Sequence, residues 1–150
     1  MVENFDYVIV GAGAAGCVLT NRLTEDDANT VCVLEAGGMD RHPFIHIPGG
    51  FTKTLYGDRF LWPFVTAPSA SLGGRTVAIP QGRVVGGSSS VNGMVYNRGQ
   101  AADFDTWAQM GNHGWSFEDL LPYFKRSEMR IGDGDDRVRG RDGELPITDI

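Results

Sequence analysis

The sequence predicts an α/β fold, and three observations carry that prediction. Phe5–Val10 is a short, apolar, β-branched run, as a buried parallel strand should be. Gly11-Ala-Gly13-Ala-Ala-Gly16 follows at once and opens a segment to about Thr24 in which Ala14, Cys17 and Val18 recur at helical spacing. Thr30–Leu34 is a second apolar run expected to form a buried strand, and it ends on Glu35. Strand, tight glycine turn, helix and strand within about thirty residues make a βαβ element.

The glycine turn is the first chemical signal. Gly11 permits the tight turn, Gly13 removes a side chain where a pyrophosphate must approach, and Gly16 lets helix lie on strand. The helix start offers free N–H groups and the positive end of its dipole to phosphates. Glu35 lies about twenty residues past Gly16, placed to accept hydrogen bonds from an adenosine ribose. Its charge would repel a 2′-phosphate, which disfavours NADP. A glycine turn without a ligand is the plain alternative, and these residues do not decide between NAD and FAD.

Composition limits the other possibilities. The chain has 150 residues, the size of about one domain. Its 21 glycines are about twice the usual share and are clustered rather than periodic, which excludes collagen and linker readings. A net charge of −6 argues against a nucleic-acid partner, since phosphate neutralisation needs excess Lys and Arg. Arg137, Arg139 and Arg141 alternate with other residues, Asp among them, and form no clean basic patch. Met1–Asp6 has neither a basic region nor an apolar run of signal-peptide length, and no stretch has the ~18 apolar residues of a membrane span. A soluble, cytoplasmic protein is expected. Cys17 and Cys32 lie in apolar segments and are expected to be reduced core thiols.

After Glu35 the βαβ rhythm stops. Residues 36–78 form an expected ordered excursion, punctuated by Pro43, Pro48, Pro63 and Pro68 and carrying Phe44, Phe51, Tyr56, Phe60, Trp62 and Phe64. Gln100–Met110 reads as a helix with Phe104, Trp107 and Ala108 on one face and Gly111 as its stop. Ser116 and Asp119 form a capping box for another helix, which Pro122 should kink or restart. Residues 132–143 are Gly-Asp rich and expected to be mobile. Residues 144–150 read as the start of a strand with no partner in the chain. The expected division is a binding domain over 1–143, followed by a strand at 144–150 that opens a substrate domain.

Gln81–Gly99, QGRVVGGSSSVNGMVYNRG, is the second signal. A flexible linker would lack Val84, Val85, Val91 and Val95, and a hairpin turn would need only one Asn-Gly. The stretch reads as packed, yet built to let something approach its backbone. Gly86-Gly87-Ser88 can present N–H groups and a hydroxyl to phosphate or ring atoms. An NAD domain would continue its βαβ alternation, whereas two backbone-exposing loops suit a longer ligand such as FAD. A glycine-rich connection lying on the sheet is the plain alternative.

Gly82-Arg-Val-Val-Gly-Gly-Ser-Ser-Ser-Val-Asn92, with Tyr96, Gly99 and Asp105, resembles the first signature of the glucose–methanol–choline (GMC) oxidoreductases. Met94–Gly99, Asp105-x-Trp107, Gly114-Trp-Ser-x-x-Asp-Leu-Leu-Pro-Tyr-Phe124 and the N-terminal glycine motif with Glu35-Ala36-Gly37 extend the resemblance over nearly the whole chain. The pattern is most similar to bacterial choline-dehydrogenase-like and aryl-alcohol-oxidase-like branches. The resemblance implies FAD on a Rossmann-like sheet. Ala14 and Ala15 would meet the pyrophosphate, and Glu35 and Ala36, with Gly37 beside them, the adenosine. Val84 and Ser88, with Arg83, Gly86 and Gly87, would line the middle of the cofactor. Asn92, Gly93, Met94 and Val95 would pass along the flavin. Trp62 is a weaker cofactor candidate, because an aromatic there serves a core equally well.

The family oxidises an alcohol to a carbonyl, with hydride passing to flavin N5 and a base taking the hydroxyl proton. Its base is a histidine near the C-terminal end of a longer chain, so the resemblance makes this sequence an N-terminal segment and assigns it no catalytic residue. The expected partners are a small-molecule alcohol and that C-terminal segment. His42 and His46 flank Pro43, which speaks against a helical metal pair, and His113 reads as a loop residue. No metal is expected. Members with covalent FAD use a histidine where this chain has Val91, so non-covalent FAD is expected. A hydroxynitrile-lyase-like enzyme with structural FAD and an NAD-binding module are the competing readings.

Overall fold

The structure, a computed structural model, describes residues 4–149. Met1–Glu3 of the N-terminal reading, and Ile150 at the end of the 144–150 strand, lie outside the described residues. The chain divides into two compact units, one ending at Val95 and one beginning at Tyr96.

The first unit opens as the sequence predicts. β1 (Tyr7–Val10) and β2 (Val31–Leu34) pair in parallel, Tyr7 opposite Val31 and Val10 opposite Leu34, joined by α1 (Ala14–Leu23). Asp6 fastens the strand starts: its carboxylate accepts the Thr30 N–H at 2.8 Å and the Thr30 hydroxyl at 2.6 Å. The hydroxyl bond, then the N–H bond, hold the Asp6 carboxyl below its ordinary pKa. The two strands are not buried as expected; Val10 is 83% exposed, and Cys17 on α1 is exposed. β-branched runs report strand preference and a need for cover, but in these residues β1 and β2 are a sheet of only two strands. Both cysteines are free.

The excursion is more regular than a loop. It holds α2 (Pro43–His46), a 3₁₀ turn (Pro48–Gly50), α3 (Phe51–Thr54) and a hairpin of β3 (Leu61–Val65) and β4 (Ala78–Gly82). The hairpin sets Pro63 opposite Pro80, and Leu61 opposite Gly82. The apolar centre of this unit is not on the β1–β2 sheet. It lies where Leu61, Val84 and Val91 meet, with Ile45 and Phe60 against them. Val84 and Val91 of the second glycine loop are therefore core residues, whereas Val95 is exposed.

The second unit holds α4 (Ala101–Gln109), α5 (Phe117–Ser127), β5 (Glu128–Arg130) and β6 (Leu145–Ile147). Both helices carry capping boxes, Gln100 with Asp103 and Ser116 with Asp119. Phe104 is the aromatic centre, with ring centroids of Trp107, Phe124 and Phe117 at 5.4, 5.5 and 6.2 Å. The Phe117 N–H donates to Asp105 Oδ1 at 3.0 Å and ties α5 to α4. Pro122 does not restart the helix, which runs unbroken from Phe117 to Ser127.

Two expectations fail here. Residues 145–147 do have a partner: β6 pairs in parallel with β5, Glu128 opposite Leu145. The partner was hidden because Glu128–Arg130 follows α5 with no breaker between them. Residues 132–143 are tied down rather than loose. Arg141 donates to the carbonyls of Arg130, Gly132 and Gly134 and to Asp136. Arg137 grips Asp135 and holds its carboxyl at about 2. The arginines that form no basic patch instead work locally: Arg141 satisfies loop carbonyls, while Arg137 and Arg139 pair with the carboxylates of Asp135 and Glu128.

Glu128 is completely buried. Its carboxylate accepts from Arg98, from Arg139 at 3.4 Å and from the Tyr96 hydroxyl at 3.4 Å. Arg98 also donates to the Val138 carbonyl at 2.6 Å and lies 5.1 Å over the Phe124 ring. Removing one member of a buried pair strands the other without water. Glu128→Gln should therefore destabilise this unit by about 3 kcal/mol, read as a lower urea midpoint in the fluorescence of Trp107 and Trp115. An unchanged midpoint would show that Arg98 does not depend on this carboxylate.

Candidate cofactor site

The site grows from the reversal at the end of β1. Gly11 adopts φ +94°, and its N–H donates to the Leu34 carbonyl at 2.7 Å. A Cβ on Gly16 would stand 2.0 Å from the Gly11 carbonyl oxygen, so glycine is what lets α1 lie against the turn. Gly13 differs: a Cβ there would meet nothing nearer than the Gly87 Cα at 4.0 Å. The protein itself leaves room at Gly13. Gly13 is also the N-cap of α1 and offers no side-chain acceptor, so the first-turn N–H groups at the exposed Ala14 and Ala15 have neither a side-chain cap nor an intrahelical acceptor.

Glu35 does more than wait for a ribose. Its Oε2 accepts the Ala12 N–H and its Oε1 the Gly37 N–H, each at 2.8 Å. One carboxylate thus braces the first glycine turn against the segment that leaves β2. Each oxygen retains a further lone pair for a ligand hydroxyl.

The second glycine loop is stitched onto the first. The Gly86 N–H donates to the Ala12 carbonyl at 2.7 Å, the Val85 N–H to the Gly38 carbonyl at 2.9 Å, and Gly38 bridges Val84. Gly87 has φ +57°, and a Cβ on it would come within 2.8 Å of the Gly13 Cα. Added Cβ atoms on Gly37 and Gly82 would overlap the backbone of Arg83 and of Gly87, at 2.1 and 2.2 Å. The smallness of this stretch thus has a cause inside the protein: backbone presses on backbone. The Ser88 hydroxyl joins in, accepting the Gly82 N–H at 2.9 Å.

The remaining candidates fall into two groups. Gly16, Val84 and Gly87 are buried and shape the site from beneath. Ala14, Ala15, Ala36, Ser88, Asn92, Gly93, Met94 and Val95 are exposed. Trp62 stacks on Phe64, two residues along β3, and the Arg83 guanidinium sits 5.0 Å from the Trp62 ring while donating to the Asp58 carbonyl at 2.8 Å.

Beside Asn92 and Met94 lies a cleft of about 200 Å³, walled by Phe44, Ile47 and Phe51 of the excursion and by Ser89 and Ser90. Of these walls, the aromatics of the excursion and the serines of the second glycine loop gave a signal in the sequence, and Ile47 gave none. His42 and His46 have local work there. His42 Nδ1 accepts the Phe44 N–H at 3.2 Å, and His46 Nε2 lies 2.6 Å from the Asp40 carbonyl oxygen. Val91, at the position that matters for covalent attachment, is 2% exposed in the core. Among the described residues, no helix is long and apolar enough to cross a membrane.

An uncapped helix start, an adjacent position with no side chain and open space, and a second backbone loop fastened alongside are what a dinucleotide pyrophosphate requires. The residues present fit FAD. Comparison with known proteins agrees. The family model for GMC oxidoreductase matches residues 5–149, and the chain belongs to that family. An oxygen-dependent choline dehydrogenase of Vibrio vulnificus is 49% identical over 145 residues, 97% of this chain and 26% of that protein. Pyridoxine 4-oxidase from Mesorbium loti superposes with a TM-score of 0.82 at 38% identity, covering 95% of this chain and 28% of the other. An FAD-dependent oxidoreductase from Chaetomium thermophilum gives 0.81 at 40% identity, covering 97% and 26%. The chain spans about a quarter of the length of these relatives.

The contrast between Gly13 and Gly16 is testable. Gly13→Ala should leave the apoprotein folded, with an unchanged circular dichroism spectrum, but weaken FAD binding at least about tenfold. Gly16→Ala should disturb the fold itself. A Gly13→Ala protein that binds FAD as tightly as wild type, in a flavin fluorescence titration, would remove the pyrophosphate from this turn.

Proposed function

We propose that the protein carrying this chain oxidises an alcohol to an aldehyde or ketone, and that residues 1–143 contribute the FAD-binding part. The observation that carries this reading is the open position at Gly13, where the uncapped start of α1 meets the Gly86–Ser88 loop. Ala14 and Ala15 would offer N–H groups to the pyrophosphate, and Glu35 and Ala36 would receive the adenosine ribose. The exposed run Asn92–Val95 would lie along the flavin. FAD, when bound, supplies the hydride acceptor.

The relatives support the reaction class. Choline and pyridoxine, which the names of two relatives carry, are both alcohols. The base that takes the hydroxyl proton would come from the part of the relatives' length that this chain does not span. Attachment would be non-covalent, since Val91 has no nucleophilic atom and is buried against Leu61 and Val84.

Anaerobic addition of choline, pyridoxine or benzyl alcohol to the flavin-loaded protein is the test. At least one should bleach the visible flavin band, and acid precipitation of the same preparation should leave the colour in the supernatant. A flavin band unmoved by every alcohol would overturn the proposed reaction, and a pellet that stays yellow would overturn non-covalent binding.

A further inference from the structure

We propose that Asn92 is a positioning residue, whose side chain holds Met94 in a left-handed backbone conformation and so fixes the path of Gly93–Val95 beside the flavin. This rests on the FAD site described above. Met94 has φ 56°, and among the described residues no other non-glycine has a positive φ. Methionine enters this region only at a steric cost, because its Cβ crowds the following carbonyl oxygen. Such a residue persists where its surroundings over-determine it.

The restraint is visible. Asn92 Oδ1 accepts the Met94 N–H at 2.8 Å, the two-residue reach of an Asx turn. One residue back, Val91 is buried in the core and anchors the root of the segment. Gly93, between the two, lies over Phe51; a Cβ there would sit 3.7 Å from that ring. Asn92 and Met94 then both face the cleft walled by Phe44, Ile47 and Phe51. The segment is thus pinned at its root, floored by an aromatic ring and turned by one side-chain oxygen. That oxygen is spent on the backbone, so Asn92 acts through Met94.

A double-mutant cycle read by FAD binding to the apoprotein, and by the visible spectrum of the bound flavin, separates this role from direct contact. Asn92→Ala should weaken FAD binding by about tenfold, the size of one lost hydrogen bond, and alter the flavin spectrum. Asn92→Asp keeps the acceptor oxygen and should restore most of the binding. In a Met94→Gly background the strain is gone, because glycine adopts positive φ freely. There Asn92→Ala should add less than about a twofold loss, and the spectrum should match that of Met94→Gly alone. Equal losses from Asn92→Ala in both backgrounds, or Asn92→Asp as damaging as Asn92→Ala, would overturn the proposal and make Asn92 a direct contact. Wild-type protein that takes up no FAD would overturn the site itself, and this role with it.

Discussion

Gly87 and Gly13 approach so closely that neither the second loop nor the first can change without the other. A Cβ on Gly87 would be 2.8 Å from the Gly13 Cα, nearer than such atoms come in folded proteins. The neighbouring bond from the Gly86 N–H to the Ala12 carbonyl, and the bridge from Gly38 to Val84, hold the loops at this distance. The core forms on the same scaffold. Val84 and Val91 flank the loop's 3₁₀ turn (Gly87–Ser90) and bury against Leu61 of the hairpin. The glycine contacts that shape the proposed phosphate site and the apolar contacts that fold the unit therefore share one stretch of chain.

This sharing assigns different duties to glycines that look alike in sequence. Gly16, Gly37, Gly82 and Gly87 are small because the chain touches itself. Gly13 is small where an added Cβ would meet nothing closer than 4.0 Å. Only the second kind leaves space for a ligand, and it lies at the helix start whose N–H groups favour an anion. Glu35 serves both ends, bracing Ala12 and Gly37 while keeping lone pairs toward the place where a ribose would lie.

Much of this was legible in the sequence. β1, α1 and β2 could be read because a period, a glycine turn and a terminal carboxylate all pointed to one unit. The valines of residues 81–99 showed that the stretch was packed, though not that Val84 and Val91 belonged to the core of the whole unit. The hairpin was illegible because Pro63 read as punctuation; a two-stranded arm, being all edge, accommodates it and Pro80 opposite. The β5–β6 pair and the buried Glu128 were hidden for another reason. Arg98, its partner, is thirty residues away in sequence, and nothing local marks a glutamate as buried. The loop at 132–143 misled through composition. Gly and Asp lower local order, but Arg141 restores it by satisfying three carbonyls at once.

The most direct measurement is the crystal structure of the flavin-loaded protein. Pyrophosphate oxygens within about 3 Å of the Ala14 and Ala15 N–H groups, beside the Gly13 Cα, are the expected result. A pyrophosphate bound elsewhere, with the space at Gly13 filled by water and the Gly87 contact unchanged, would contradict the claim that the two glycine loops are joined to hold it.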